Sequence, residues 1–482
     1  MTNLILTFIF SIYFVGCFPL SHIFKITSSK INFQNQIQNI LSDSIFKNTI
    51  ASVKIVSLDN DEIMYENKPD LLLHPASNLK LLTSATVLQN FSKDFSIPTE
   101  FFTDSISKNG TAYNLYVKGF GDPSFTLSKL NLVVVQLKSL GVNRIDGNIF
   151  GDTSFFDQNN WGNGWMWDDE PYYYAAYSAP LTIEQNSIFV SVFPNDSIGK
   201  SPIVKINPTT SFVNIINQAI TLNDSSKETI SIKRNPFERS NTILISGIIN
   251  SKTDSVSEHL SVVLPNNYFL HLFKETLSSN GILFDGDMLF KNVNPKSLKV
   301  VTHNEPIDSI VVRLNKTSDN LSAENLLRIM SAYKYSPPGN TQSGLWIVNE
   351  TVSKLGLDTT TFLIVDGSGM SNYNLITTNH YIIFLKSIYV NQELFERMYA
   401  SLPIAGVDGT LKNRMKKSKA ENNLRAKTGS HSGISSLTGF IKSEDGEMFA
   451  FSIFMQNFIG SPTAYRNAQD KIGIEIARFK RD

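Results

Sequence analysis

HPASNLKLLTSATVL, His74 to Leu88, decides how this chain is read. A proline and an alanine precede Ser77. Lys80 follows three places later, and Leu79, Leu82, Ala85, Val87 and Leu88 then recur at helical spacing. The pattern predicts a helix from about Asn78, buried along one face. Residues three apart on a helix project from the same face, so Ser77 and Lys80 are expected to meet. A serine hydroxyl is a weak nucleophile until a base stands beside it. A lysine is such a base once a dry site lowers its pKa. The positive end of the helix dipole adds to the effect. Taken by itself, S-x-x-K reads more readily as an N-capping serine followed by a solvated lysine.

Two further motifs change that balance. Ser318-Asp319-Asn320 opens a helical pattern in NKTSDNLSAENLLR, and Lys427-Thr428-Gly429 precedes a strand pattern in LRAKTGSHSGISSLTGF. S-x-x-K, S-D-N and K-T-G in this order form the signature of penicillin-binding proteins and class A β-lactamases. Local alternatives remain for each piece, Ser318 as an N-cap and Lys427 as a surface charge. Their joint occurrence in order is what carries the reading.

The rest of the chain supplies the frame. With 482 residues it is too long for one ordinary domain. It is 41% hydrophobic and 18% charged, a composition that builds cores. Lys plus Arg and Asp plus Glu both number 43, which argues against a nucleic-acid surface. ASVKIVSLDNDEIMYENKPD reads as a hairpin around a DND turn. From about 101 to 303, short alternating runs such as YNLYVKG, NSIFVSVF and NTILISGII predict a β-rich insert of two small subdomains. Helices return after 303, followed by a strand, an EDG turn, a strand and a closing helix. The expected architecture is therefore one α/β domain, residues 30–100 and 304–482, split by a β-rich insert after the nucleophile helix. Among the seven histidines no H-E-x-x-H occurs, and neither a P-loop nor a dinucleotide fingerprint is present. The expectation is cofactor-free, metal-free acyl transfer.

Ser318 follows Ser77 by 241 residues, far more than a compact β-lactamase needs. At this point the chain resembles the D-alanyl-D-alanine carboxypeptidase/endopeptidases of the class C low-molecular-mass penicillin-binding proteins, peptidase family S13. HPASNLKLLTSATVL, GWMWDDEP, YSAPLTIEQNSIFVSV, SDNLSAENLLR, DGSGMSNYNLIT, SLPIAGVDGTLKNRM and RAKTGSHSGISSLTGF carry the resemblance, which runs from about Phe46 to the end. It implies a penicillin-recognising fold and hydrolysis of peptidoglycan stem peptides and cross-links through an acyl-enzyme on Ser77. It also implies that β-lactam antibiotics bind. Lys80 would take the serine proton and Ser318 would relay a proton to the leaving D-alanine. Asn320 would hold the substrate amide and help fix Lys80, while Lys427 supplies positive charge. Thr428, Gly429 and Ser430 would bind the terminal carboxylate side of the substrate. The N–H groups of Ser77 and Ser430 would form the oxyanion hole. A β-lactamase on the same fold and a wall-binding protein with a vestigial site are the alternatives.

Weaker readings remain. Asn372 in DGSGMSNYN stands where the resemblance leads one to expect a basic residue, which leaves substrate preference open. Asp366, Gly367 and Gly369 are read as a tight loop under the site. Asp157 is a candidate partner for a substrate amine, against the plainer reading of a turn-capping aspartate. The aromatic run from Trp161 to Tyr177 is read either as a sugar platform or as packing between insert and main domain. His74 and His431 are read as structural or solvent-exposed. No glutamate is marked as a deacylating base. The apolar stretch Leu4–Val15 suits a secretory signal within residues 1–22, and Cys17, the single cysteine, suits lipidation and membrane anchoring in the cell envelope.

Overall fold

The computed structural model describes residues 28–223 and 227–482. The signal segment and Cys17 lie outside the described residues. No described helix is long and apolar enough to cross a membrane.

Five strands form the main sheet: β1 (Ile50–Ser57), β2 (Ile63–Asn67), β3 (Arg425–His431), β4 (Ile434–Lys442) and β5 (Met448–Gln456). Their order is β3-β4-β5-β1-β2, with every pairing antiparallel. The chain ends thus meet in the middle of the sheet, where β1 lies against β5. Every residue of β5 is buried, as are seven of the nine in β4. Such strands have no solvent face, so both sides of the sheet are covered.

One side is covered by α1 (Ser28–Leu41) and the closing helix, Thr463–Arg478, which enclose Phe33, Ile37, Ile472 and Ile476 with the strands. On the other side lie α2 (Lys80–Asn90) and a helical layer. The sequence predicts one buried face for α2. In the structure Lys80 through Leu88 are all buried, because α2 is ringed by neighbouring helices. Its hydroxyls find partners inside: Thr83 Oγ1 donates to Gly367 O at 2.7 Å and Ser84 Oγ to Asn315 Oδ1 at 3.2 Å. A helix buried on all sides tolerates polar residues only on such terms.

The strands Ser96–Thr103 and Leu298–Pro306 pair antiparallel from Ser96 opposite Pro306 to Thr103 opposite Leu298. They are the stem of the insert. The change of sheet therefore falls near 96 and 306, a few residues outside the interval 101–303 read from texture. The insert carries α3 (Leu127–Ser139), α4 (Pro265–Ser279) and several small sheets, and its buried apolar residues form one continuous cluster from Phe101 to Val301.

Beyond it run α5 (Ile307–Thr317), α6 (Asn320–Tyr335), α7 (Thr341–Lys354), α8 (Thr378–Val390), α9 (Gln392–Ser401) and the closing helix, α10. α6 is buried from Leu321 to Ala332. A cleft opens where the turn into α2, the junction of α5 and α6, and the edge strand β3 converge.

Candidate active site

Ser77 sits in a 3-10 turn, Ala76–Leu79, that runs directly into α2. Side chains three apart eclipse in such a turn, which points Ser77 and Lys80 the same way. Lys80 Nζ lies 3.0 Å from Ser77 Oγ, and donates to Asn320 Oδ1 and Ser368 O at 2.6 Å each. The preceding residue, Ala76, has φ +47°, a left-handed conformation that costs a non-glycine residue energy. Its N–H donates to His74 Nδ1 at 3.0 Å, and Ser436 Oγ donates to Pro75 O at 2.8 Å. With Nδ1 accepting, His74 carries its proton on Nε2 and donates to Ser371 O at 2.7 Å. Its part is to brace the turn, in line with the structural reading.

Lys80 is fully buried. Burial pushes its pKa from 10.5 down to about 8, against the pull of Asp366, Glu324 and Asp319, which favour the ammonium. A useful fraction is therefore neutral near physiological pH and able to accept the Ser77 proton.

Ser318 is not an N-cap. It ends α5 in the left-handed conformation, φ +62°, and Asp319 caps α6 by accepting from Leu321 N at 3.1 Å. The kink frees the Ser318 hydroxyl, which accepts from Lys427 Nζ at 2.7 Å. Lys427 is not a surface charge either; it is fully buried. Its pKa is held well below that of an ordinary lysine by burial and then by the like charge of Lys80. Asn320, first in α6, donates through Nδ2 to Tyr174 O at 2.7 Å and ties the site to the aromatic run.

The β3 edge brings in Thr428, Gly429 and Ser430, all lining the same cleft as Ser77, Ser318 and Asn320. A Cβ on Gly429 would lie 2.1 Å from Ser436 Oγ and 2.8 Å from Pro75 O. Only glycine lets the strand approach the nucleophile turn so closely. Thr428 Oγ1 donates to Thr410 Oγ1 at 2.8 Å.

DGSGMSN is the expected tight loop. The buried Asp366 carboxylate accepts from the N–H of Gly369 at 2.9 Å and of Ser371 at 2.7 Å, from Asn374 Nδ2 at 2.8 Å and from Trp165 Nε1 at 3.0 Å. Glu324 lies beneath, accepting from the N–H of Gly367 and Ser368, with its pKa raised by burial and then by Asp366. Asn372 is exposed.

Asp157 is not brought to the cleft. Its carboxylate pairs with Arg328 Nη1, and its N–H donates to Gly339 O at 3.0 Å. Among the cleft-lining residues that the sequence reading passed over are Asp169, Arg414 and Arg466. Arg466, from the first turn of α10, donates to Ser430 Oγ at 2.9 Å, and Arg414 is paired with Asp470 at 2.7 Å. Asp169 accepts from Tyr174 OH at 3.0 Å. Asp169 lies within GWMWDDEP and Arg414 within SLPIAGVDGTLKNRM, but neither is singled out there, and Arg466 lies in none of the quoted stretches.

Away from the cleft, Asp122, His303 and Glu305 bring ligand-type atoms within 4.8 Å of one another. The Lys129 ammonium already lies 2.5 Å from Glu305.

A serine with a buried, partly neutral lysine, a second serine–lysine pair and an edge strand are the features expected of a serine acyl-transferring enzyme of the penicillin-recognising class. The comparisons agree. Residues 33–478 match the model of the D-Ala-D-Ala carboxypeptidase 3 (S13) family, and the chain belongs to that family. A D-alanyl-D-alanine carboxypeptidase of Actinomadura sp. (strain R39) is 32% identical, across 92% of this chain and 84% of the relative. The D-alanyl-D-alanine carboxypeptidase DacB of Haemophilus influenzae is 26% identical, across 92% of both. The crystal structure of penicillin binding protein 4 from Haemophilus influenzae shares the fold with a TM-score of 0.81 at 22% identity, covering 92% of this chain and 99% of that one.

Proposed function

We propose that the protein is an exported serine D,D-carboxypeptidase and D,D-endopeptidase that hydrolyses peptidoglycan stem peptides through an acyl-enzyme on Ser77. One observation carries the reading: Lys80 Nζ reaches both Ser77 Oγ and Asn320 Oδ1, while Lys427 reaches Ser318 in the same cleft.

The chemistry follows from that arrangement. Ser77 Oγ attacks the carbonyl between two D-alanines as its proton passes to neutral Lys80. The oxyanion is held by the N–H groups of Ser77 and Ser430, each such donor contributing roughly 3 kcal/mol to lowering the barrier. Ser318, polarised by Lys427, passes a proton to the leaving amine, and the C–N bond breaks. Water then attacks the ester, losing its proton to the site and returning Ser77 as the free alcohol. Arg466, Thr428 and Ser430 form the cationic, hydroxyl-rich end that suits the substrate carboxylate. Asp169 supplies an anionic wall that suits a side-chain amine.

Endopeptidase activity is supported by the size of the cleft, ≈ 770 Å³, far more than one leaving D-alanine fills. A predatory peptidoglycan endopeptidase of Bdellovibrio bacteriovorus shares the fold with a TM-score of 0.51. β-Lactams, which present an acylating carbonyl beside a carboxylate, fit the same groups; the Haemophilus influenzae protein has been crystallised with one. Export, with anchoring through lipidated Cys17, rests on the apolar N-terminal segment alone.

The test is intact mass after incubation with benzylpenicillin, beside Ser77→Ala. A lasting one-drug adduct on Ser77, with D-alanine release from a stem pentapeptide, is the expected result. Rapid drug turnover without an adduct would identify a β-lactamase. Neither reaction in a folded protein would identify a vestigial site.

A further inference from the structure

The aromatic run has two sides. Trp167–Asp169 forms a single 3-10 turn closed by Glu170. Side chains three apart eclipse in such a turn, so Trp167 and Glu170 share one side and Asp169 faces another. Asp169 lines the active-site cleft. Trp167 and Glu170 line a second cavity of ≈ 560 Å³, closed on its far side by Phe237 and Arg239 from the insert.

This cavity is built for more than packing. Trp161, Trp165 and Tyr177 form its aromatic floor, with Trp161 5.1 Å from each of the other two ring centres. Trp167 and Phe237 form an outer wall, their centres 4.9 Å apart, yet they remain 59% and 73% exposed. Rings of this size kept in water signal a recognition surface. Glu170 belongs to the frame of this cavity. Its side chain is only 8% exposed; Oε1 pairs with Arg234 at 2.8 Å and accepts from Tyr177 OH at 2.8 Å. Oε2 is buried without a partner. Nη1 of Arg234 is buried unpaired as well, so this ion pair braces the wall from inside.

Aromatic faces beside an amide, Asn160, and the Arg239 guanidinium suit a pyranose ring: its C–H face lies on the rings while its hydroxyl and acetamido oxygens accept from those two side chains. We propose that this cavity is a second binding site, for the N-acetylhexosamine backbone of peptidoglycan. The inference rests on the reading of stem peptides as substrate, because those peptides are covalently joined to that glycan. A few extended residues span roughly 10–14 Å, the separation a stem peptide sets between its reacting end and its sugar. The wall between the sites is one layer: Trp165 packs on Met370, which lines the cleft, and hydrogen bonds to Asp366 beneath it. The glycan site would hold the polymer while the cleft processes its peptides.

The test titrates the purified protein with peptide-free glycan strands, prepared by amidase digestion, and follows intrinsic tryptophan fluorescence and heat. Phe237→Ala and Trp167→Ala are run alongside; Phe237 is exposed enough that its loss leaves the core intact. Saturable binding by the parent protein, weakened roughly tenfold or more in both variants, is expected from the loss of a stacking ring. D-alanine release from a soluble pentapeptide should be unchanged in both variants, while release from intact sacculi falls. No saturable glycan response, or equal affinity in parent and variants, overturns the site. If glycan binds as described but the pentapeptide is not cleaved, the peptidase reading fails and the glycan site stands.

Discussion

The floor of the cleft and its outer wall are built in opposite ways. On the floor, Ser77, Lys80, Ser318, Asn320 and Lys427 stand on the turn into α2, the junction of α5 and α6, and β3, and both lysines are fully buried. Lys80 is fixed by Ser77 within one turn and by Asn320 on α6, and Lys427 by Ser318 at the junction of α5 and α6. On the wall, Asp169, Arg414 and Arg466 come from a one-turn 3-10 helix, a loop and the start of α10, and they meet only because the fold closes around them. The chemistry is thus held rigidly from below, while the groups that face the rest of the substrate stand on separate, less constrained segments. Floor changes should remove the reaction; wall changes should alter what reacts.

The largest effect is expected at the nucleophile. Ser77→Ala should lower D-alanine release by roughly 10⁴-fold or more, with the penicillin adduct absent by mass. An adduct persisting in that variant would place the nucleophile elsewhere. Next comes pH. Lys80 must be neutral to accept a proton, and its pKa is depressed to about 8. Below that value protonation removes the base, so the acylation rate should climb roughly tenfold per unit between about pH 6 and 7 and level off above about 8. A flat stopped-flow profile across that range would remove Lys80 as the base. Gly429→Ala should follow, at roughly a hundredfold loss in kcat/KM, because its Cβ pushes β3 away from the nucleophile turn. Circular dichroism should show the fold retained. On the wall, Arg466→Ala should raise KM roughly tenfold and leave kcat nearly unchanged, since the guanidinium meets Ser430 and not the reacting bond. A fall in kcat alone would move Arg466 to the floor.

The same contrast explains what was legible in the amino-acid sequence. S-x-x-K, S-D-N and K-T-G are readable because one turn, one helix junction and one strand suffice to place their side chains. A hairpin near each end of the chain gave four of the five strands; the fifth, β3, holds K-T-G itself, which the sequence pattern placed just before a strand. The burial of α2 on all sides was not readable, because it depends on the helices that ring it. The stem of the insert begins at Ser96, where alternation in SIPTEFFT is already present but no change of texture marks it. Asp157 was a natural candidate as an acid in a turn, yet Arg328, far along α6, takes its carboxylate. Asp169, twelve residues further on, has no periodicity around it, and only the folded turn shows which way it faces.

Asp169 therefore gives the finest test of the wall. It is the acid of the aromatic run that lines the cleft, and its Oδ1 accepts from Tyr174 OH, whose backbone carbonyl in turn holds Asn320. Asp169→Asn keeps an oxygen for Tyr174 and removes the charge. An exposed charge pair contributes about 1 kcal/mol or less, so kcat/KM for a stem peptide with a free side-chain amine should fall roughly threefold to fivefold. A peptide with that amine acetylated should be cleaved equally well by both proteins. Equal losses on the two peptides would mean that the substitution disturbs the Tyr174–Asn320 link instead, and Asp169 would then belong with the floor.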